Sequence, residues 1–128
     1  MSPLQVALVD KAERALATAR QVMGEDPEAA VNRAYYACFY VAQAALLGVG
    51  ERPKSHAGTH NRFAFHFVAT GRVPEEVART LPSAAQARER ADYNVLAVTN
   101  PRAAADLLAD AERFVEVVRN EVEGEAAA

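Results

Sequence analysis

The sequence predicts an all-α fold of five helices, on three observations. Apolar residues recur at helical spacing, and no stretch alternates as a strand would. A short polar residue followed by proline occurs at Ser2-Pro3, Asp26-Pro27 and Asn100-Pro101, giving a capping oxygen and then a residue that needs no N–H. Glycines close the same runs at Gly24, Gly48 with Gly50, Gly71 and Gly124.

The first helix is predicted over 3–23 behind the Ser2 cap, and the second over 27–48 behind Asp26. The second reads "AAVNRAYYACFYVAQAALLGVG" and is apolar nearly all round, with Arg33 the one charge between Glu28 and Glu51. Such a helix belongs at the centre of a fold. Ser55 caps a third helix over 56–70. A fourth, over 74–94, opens on Pro74-Glu75-Glu76, whose acids suit the positive end of the helix dipole. Pro82 is predicted to kink that helix or divide it in two. In it Ala84, Ala87 and Ala91 form a narrow stripe, with Arg88 and Asp92 beside it at i and i+4. The fifth is predicted over 101–122, with residues 122–128 as a frayed tail.

A chain of 128 residues makes one domain, able to bury a core without disulfides. The formal charge of −3 argues against attraction of the whole chain to nucleic acid, so a polyanion would need a local basic surface. One stretch allows it: from Arg52 to Pro74 there is no acid, only Arg52, Lys54, Arg62, Arg72 and all three histidines. The single cysteine, Cys38, cannot form an internal disulfide and suits a reducing cytoplasm. The first residues reach charge too soon for a secretory leader. The uncharged run Ala34 to Gly50 falls short of the ~18 apolar residues of a membrane span, so a buried helix is expected there and no membrane partner.

With "NRAYYACFYVAQAALL", "KSHAGTHNRFAFHFVATG" and "RERADY" in that order, the chain resembles the HEPN domain family, in particular its small stand-alone prokaryotic members. Arg33 to Ala37 match the family's second-helix signature, His56 and Gly58 a short turn, and Arg88, Asp92 and Tyr93 the fourth-helix motif. The resemblance implies an up-and-down five-helix bundle of HEPN type. It implies a homodimer or higher oligomer, nucleotide or RNA handled near the dimer axis, and a small nucleotidyltransferase as toxin–antitoxin partner. It implies no cofactor. Many members are metal-independent ribonucleases in which a histidine follows the arginine by four to six residues. Here Asp92 stands in that place and no histidine follows. An aspartate beside arginines is ionised at neutral pH, so it is a poor proton carrier. Binding is therefore expected more than cutting.

The residues singled out for a nucleotide or RNA site are Arg33, Tyr36, Lys54, His56, Arg88, Asp92 and Tyr93; no catalytic residue is assigned. Against them stand plainer readings: an intrahelical Arg88–Asp92 pair, aromatics that only pack, and a core Tyr93. Arg33, in so apolar a helix, needs an acid such as Asp92 or a ligand phosphate. His56 and His60 have the spacing of metal ligands, but no third ligand lies in their segment, so a capping or anion-facing role is expected for His56. His66 is expected to pack among Phe63, Phe65 and Phe67. Two other functions stay open: a ribonuclease toxin using His56 or another subunit's group as base, and a non-catalytic assembly partner.

Overall fold

The computed structural model describes residues 1–127, and within them every regular element is helical. Helix α1 is Pro3–Val22, α2 Pro27–Gly48 and α3 His56–Phe63, which runs on into a π-helical turn, Ala64–Val68. The fourth predicted helix comes in two pieces, α4 Glu75–Ala78 and α5 Thr80–Tyr93, and α6 is Pro101–Ala127. The architecture is the five-helix bundle that the sequence predicts. No helix among the described residues is long and apolar enough to cross a membrane.

The caps are those the sequence names. Ser2 Oγ accepts from the Gln5 N–H at 3.2 Å while the Ser2 N–H donates back to Gln5 Oε1 at 2.9 Å, a reciprocal box. Asp26 Oδ1 accepts from Ala29, Ser55 Oγ from Gly58 and Asn100 Oδ1 from Ala103. Gly50 and Gly71 take φ of 80° and 76°, the left-handed conformation that a side chain would strain.

Helix α2 lies at the centre and packs against α1, α3, α5 and α6. Its alanines Ala30, Ala34, Ala37, Ala44 and Ala45 are buried and small, which lets α1 and α6 approach closely. Beneath α3 the rings of Phe63 and Phe67 stack at 5.1 Å, with Phe114 of α6 5.6 Å from Phe63.

Two boundaries differ from expectation. The fourth helix breaks at Arg79, not at Pro82. A proline is tolerated in a first turn, where its missing N–H has no partner to lose, so α5 begins just ahead of it. The tail predicted to fray is helical to Ala127, because Arg72 pairs with Glu121 at 3.1 Å and also with Glu125. Ala128 lies outside the described residues.

Candidate functional site

The aromatic side of α2 meets α3 and α5, and the site forms where the three helices converge. The Ser55 cap starts α3 so that His56 takes its first position and His60 follows one turn later on the same face. Both rings reach the buried Tyr35. Its Oη lies 2.7 Å from His56 Nδ1 and 3.2 Å from His60 Nε2. The His56 ring also stacks on Phe39, centroids 4.2 Å apart and 15° from parallel.

A phenol has one proton, so Tyr35 donates to one imidazole and accepts from the other. The shorter contact fits Tyr35 donating to His56 Nδ1, and the longer one fits the His60 Nε2–H donating to Tyr35. On that geometry the His56 proton sits on Nε2, the ring nitrogen away from Tyr35.

Helix α5 supplies the cation. The Arg88 guanidinium lies 5.0 Å from the Tyr35 ring centroid and 5.7 Å from that of Tyr36, and the Arg33 guanidinium is 5.2 Å from Tyr36. Tyr36 is thus flanked by two arginines on its electron-rich surface. Arg88 Nη1 donates to Asp92 Oδ2 at 3.0 Å, while its buried Nε has no hydrogen-bond partner among the described residues. A buried donor in that state costs stability. A groove of about 310 Å³ opens here, its polar lining made by Tyr35, His56, His60, Asn61, Gln86, Arg88 and the carboxylate of Glu89.

The electrostatics follow from burial. Tyr35 is pushed up to about 12, mainly by desolvation with Arg88 opposing, so it keeps its proton at neutral pH. His56 falls below the ordinary 6.5 through desolvation and then the Arg88 charge. His60 falls through desolvation and His56, with Glu89 acting the other way. Both rings are therefore mainly neutral at pH 7.

A pH dependence with two opposite signs is expected. The unfolded chain binds these two protons more readily, so the stability present above pH ~6.5 is lost as pH falls from there through the lowered folded values. Over the same window each imidazole gains charge, so affinity for an anion in the groove rises. Thermal unfolding with and without sulfate, which keeps its charge over this range, at pH 7.5 and 5.5, checks this. Glu51, lowered by hydrogen bonds from Arg62 and His66, titrates at more acid pH and does not contribute in that range.

Of the residues the sequence singles out, the structure brings together His56 and Arg88 in the groove, with Tyr36 and Arg33 beside them. Arg33 does not meet Asp92: its Nη2 donates to Asn32 Oδ1 at 2.9 Å, and Asp92 pairs with Arg88. Lys54 is exposed ahead of α3 and Tyr93 is 82% exposed at the end of α5, both outside the groove lining. Sequence reasoning missed the Tyr35 hydroxyl, His60, Asn61 and Gln86. The available signal was that His56 and His60 share one face of α3. His66 Nε2 is hydrogen-bonded to Glu51 rather than only packed.

The sequence profile of the HEPN domain family matches residues 6–121. A UPF0332 protein of Gloeobacter violaceus is 38% identical over 119 residues, covering 91% of this chain and 94% of that protein. A protein of Methanocaldococcus jannaschii named as a candidate toxin is 35% identical over 115 residues, covering 88% of this chain and 84% of its own length. A UPF0332 protein of Thermotoga maritima is 33% identical over 94 residues, 73% of this chain and 71% of the relative.

Proposed function

The chain belongs to the HEPN domain family, and on that premise we propose that it is a toxin-like protein binding the phosphates of a nucleotide or RNA in the Arg88 groove. The observation that carries this reading is the Arg88 guanidinium in the groove wall beside two imidazoles that can gain charge. Asp92 orients the guanidinium, which stands in the groove wall as a fixed planar cation for phosphate oxygens. Arg33, behind Tyr36, adds charge to the same side. The name of the Methanocaldococcus jannaschii relative supports the toxin-like role.

The protein acts in the cytoplasm as a homodimer or higher oligomer, with a small nucleotidyltransferase as partner. Tyr93 at the end of α5, and Val95, Leu96 and Val98 on the segment that leads to α6, are 82–92% exposed, an apolar surface that suits assembly.

A second reading, RNA cleavage, is favoured by the shared Tyr35 hydroxyl. With the opposite tautomer of both rings, each reached by proton exchange with solvent, His56 Nδ1–H donates to Tyr35 and Tyr35 donates to His60 Nε2, which leaves on His56 Nε2 a lone pair that can accept the proton of a 2′-hydroxyl. O2′ then attacks phosphorus, the P–O5′ bond breaks, O5′ takes up the proton that His56 Nε2 accepted, and a 2′,3′-cyclic phosphate remains. Arg88 holds the charge that builds on the phosphoryl oxygens.

Calorimetric titration of the full chain with ATP, a short RNA and unphosphorylated adenosine separates these readings when the RNA is recovered on a gel. Binding of ATP and RNA but not adenosine is expected, with intact RNA on the binding reading and a cyclic-phosphate product on the cleavage reading. No binding of either phosphate ligand would sink both. Light scattering on the same sample is expected to give the mass of two or more chains, and a single-chain mass would overturn the oligomer.

A further inference from the structure

We propose that the outer seam between α1 and α2 is a docking surface for a partner protein, and that its occupant is an acidic amphipathic helix. The two helices run antiparallel, and three residues of each share the seam. On α1 these are Leu4, Leu8 and Lys11, at i, i+4 and i+7; on α2 they are Tyr40, Gln43 and Leu47, at i, i+3 and i+7. Leu4 is 40% exposed, and with the half-buried Leu8 and Leu47 it borders a hollow of about 100 Å³ that ends at Arg52 and Pro53. No helix other than α1 and α2 contributes to that lining.

Cations stand at both ends of the seam. Arg52 lies beyond Leu4, and at the opposite end Lys11 Nζ is 4.7 Å from the Tyr40 ring centroid. Both side chains are exposed, and neither is paired with a carboxylate among the described residues. Their neighbouring acids in the chain are held elsewhere: Asp10 by Arg14 at 3.2 Å, and Glu51 by Arg62 at 2.7 Å and by His66. The leucine-lined hollow is therefore flanked by two unopposed positive charges.

That arrangement sets the chemistry of the occupant. The groove between two antiparallel helices seats a third helix, whose apolar side chains lie in the hollow and whose charges meet those at the rim. Leucine-like residues at i and i+4 answer Leu4, Leu8 and Leu47. Carboxylates at i−4 and i+8, on the same stripe and about 18 Å apart along a helix, answer Arg52 and Lys11. A second copy of this chain does not supply such a stripe from its apolar loop or its acidic helix. Its exposed Val95, Leu96 and Val98 lie outside any helix, and the acid-rich α6 buries Leu108, Val115 and Val118 in its own core.

Two synthetic peptides of about 15 residues, each stapled on its outer side to hold the helix, provide the test. One carries leucine at i and i+4 and glutamate at i−4 and i+8; its twin has lysine in place of both glutamates. In fluorescence anisotropy with the full chain at low salt, the glutamate peptide is expected to bind about tenfold more tightly than its twin, and the gap to close as salt is raised. Leu4→Ala, at an exposed position, is expected to weaken both peptides severalfold. Lys11→Glu combined with Arg52→Glu, both on the surface, is expected to reverse the preference, which a general loss of fold cannot do. No binding of either peptide, equal binding of the two, or a preference that the double variant leaves unmoved overturns the proposal. So does a fall in the mass of the chain alone in Leu4→Ala, measured by light scattering, which would give the seam to a second copy.

Discussion

Arg88→Ala is expected to weaken binding of ATP or short RNA by roughly 10- to 100-fold, the worth of about 1.5–3 kcal/mol for hydrogen bonds to a charged group. The guanidinium is the fixed cation of the groove, seated over Tyr35 and Tyr36, and its loss leaves two mainly neutral imidazoles. Arg88→Lys keeps the charge but not the planar fork, so a smaller loss is expected. Asp92→Asn should act in the other direction. It removes a carboxylate that occupies one edge of Arg88, so affinity for an anion is expected to rise. Calorimetric titration checks all three, and unchanged affinity in Arg88→Ala would remove Arg88 from the site.

The second large effect is on stability. Phe114→Ala is expected to cost about 3–5 kcal/mol, the range for truncating a large buried aromatic. Phe114 is fully buried, lies 5.6 Å from Phe63, and joins α6 to the helix that carries both histidines. With total stabilities of about 5–15 kcal/mol usual for such domains, that loss is a large share of the whole. Phe114→Leu refills much of the space and should cost well under half as much. Urea unfolding of the two variants checks the order; a loss below about 1 kcal/mol in Phe114→Ala would contradict the packing described.

Much of the bundle is legible in the chain because its helix starts are encoded by neighbours. Ser2 with Pro3 and Gln5, Asp26 with Pro27, and Asn100 with Pro101 each place cap and first turn within a few residues, and the structure uses them all. What is not legible depends on residues distant in sequence. Arg72 keeps the end of α6 ordered from 49 residues away, so a tail that looks frayed by composition is helical. Nothing in "AFHFV" announces a π-turn. Pro82 marks an interruption correctly but not its position, since a first turn tolerates the ring. At the site, Arg88 and His56 were visible by spacing and by the resemblance. In the sequence Tyr35 is one of several aromatics at helical spacing, and the role of its hydroxyl exists only once α3 brings two imidazoles to it. The missing histidine after Arg88 points to binding more than cutting, with His56 as the alternative base, and the fold sets His56 and His60 beside that arginine.

The central claim is that Tyr35, His56, His60 and Arg88 form one phosphate-binding site, and the imidazole resonances test it most directly. In a proton–nitrogen NMR titration of the full chain with adenosine monophosphate, His56 and His60 are expected to shift together along one saturable curve and to titrate at higher pH once ligand is bound. His66, paired with Glu51, should not move. Shifts confined to His66, or none at either His56 or His60 with ligand shown to be bound, would contradict the site.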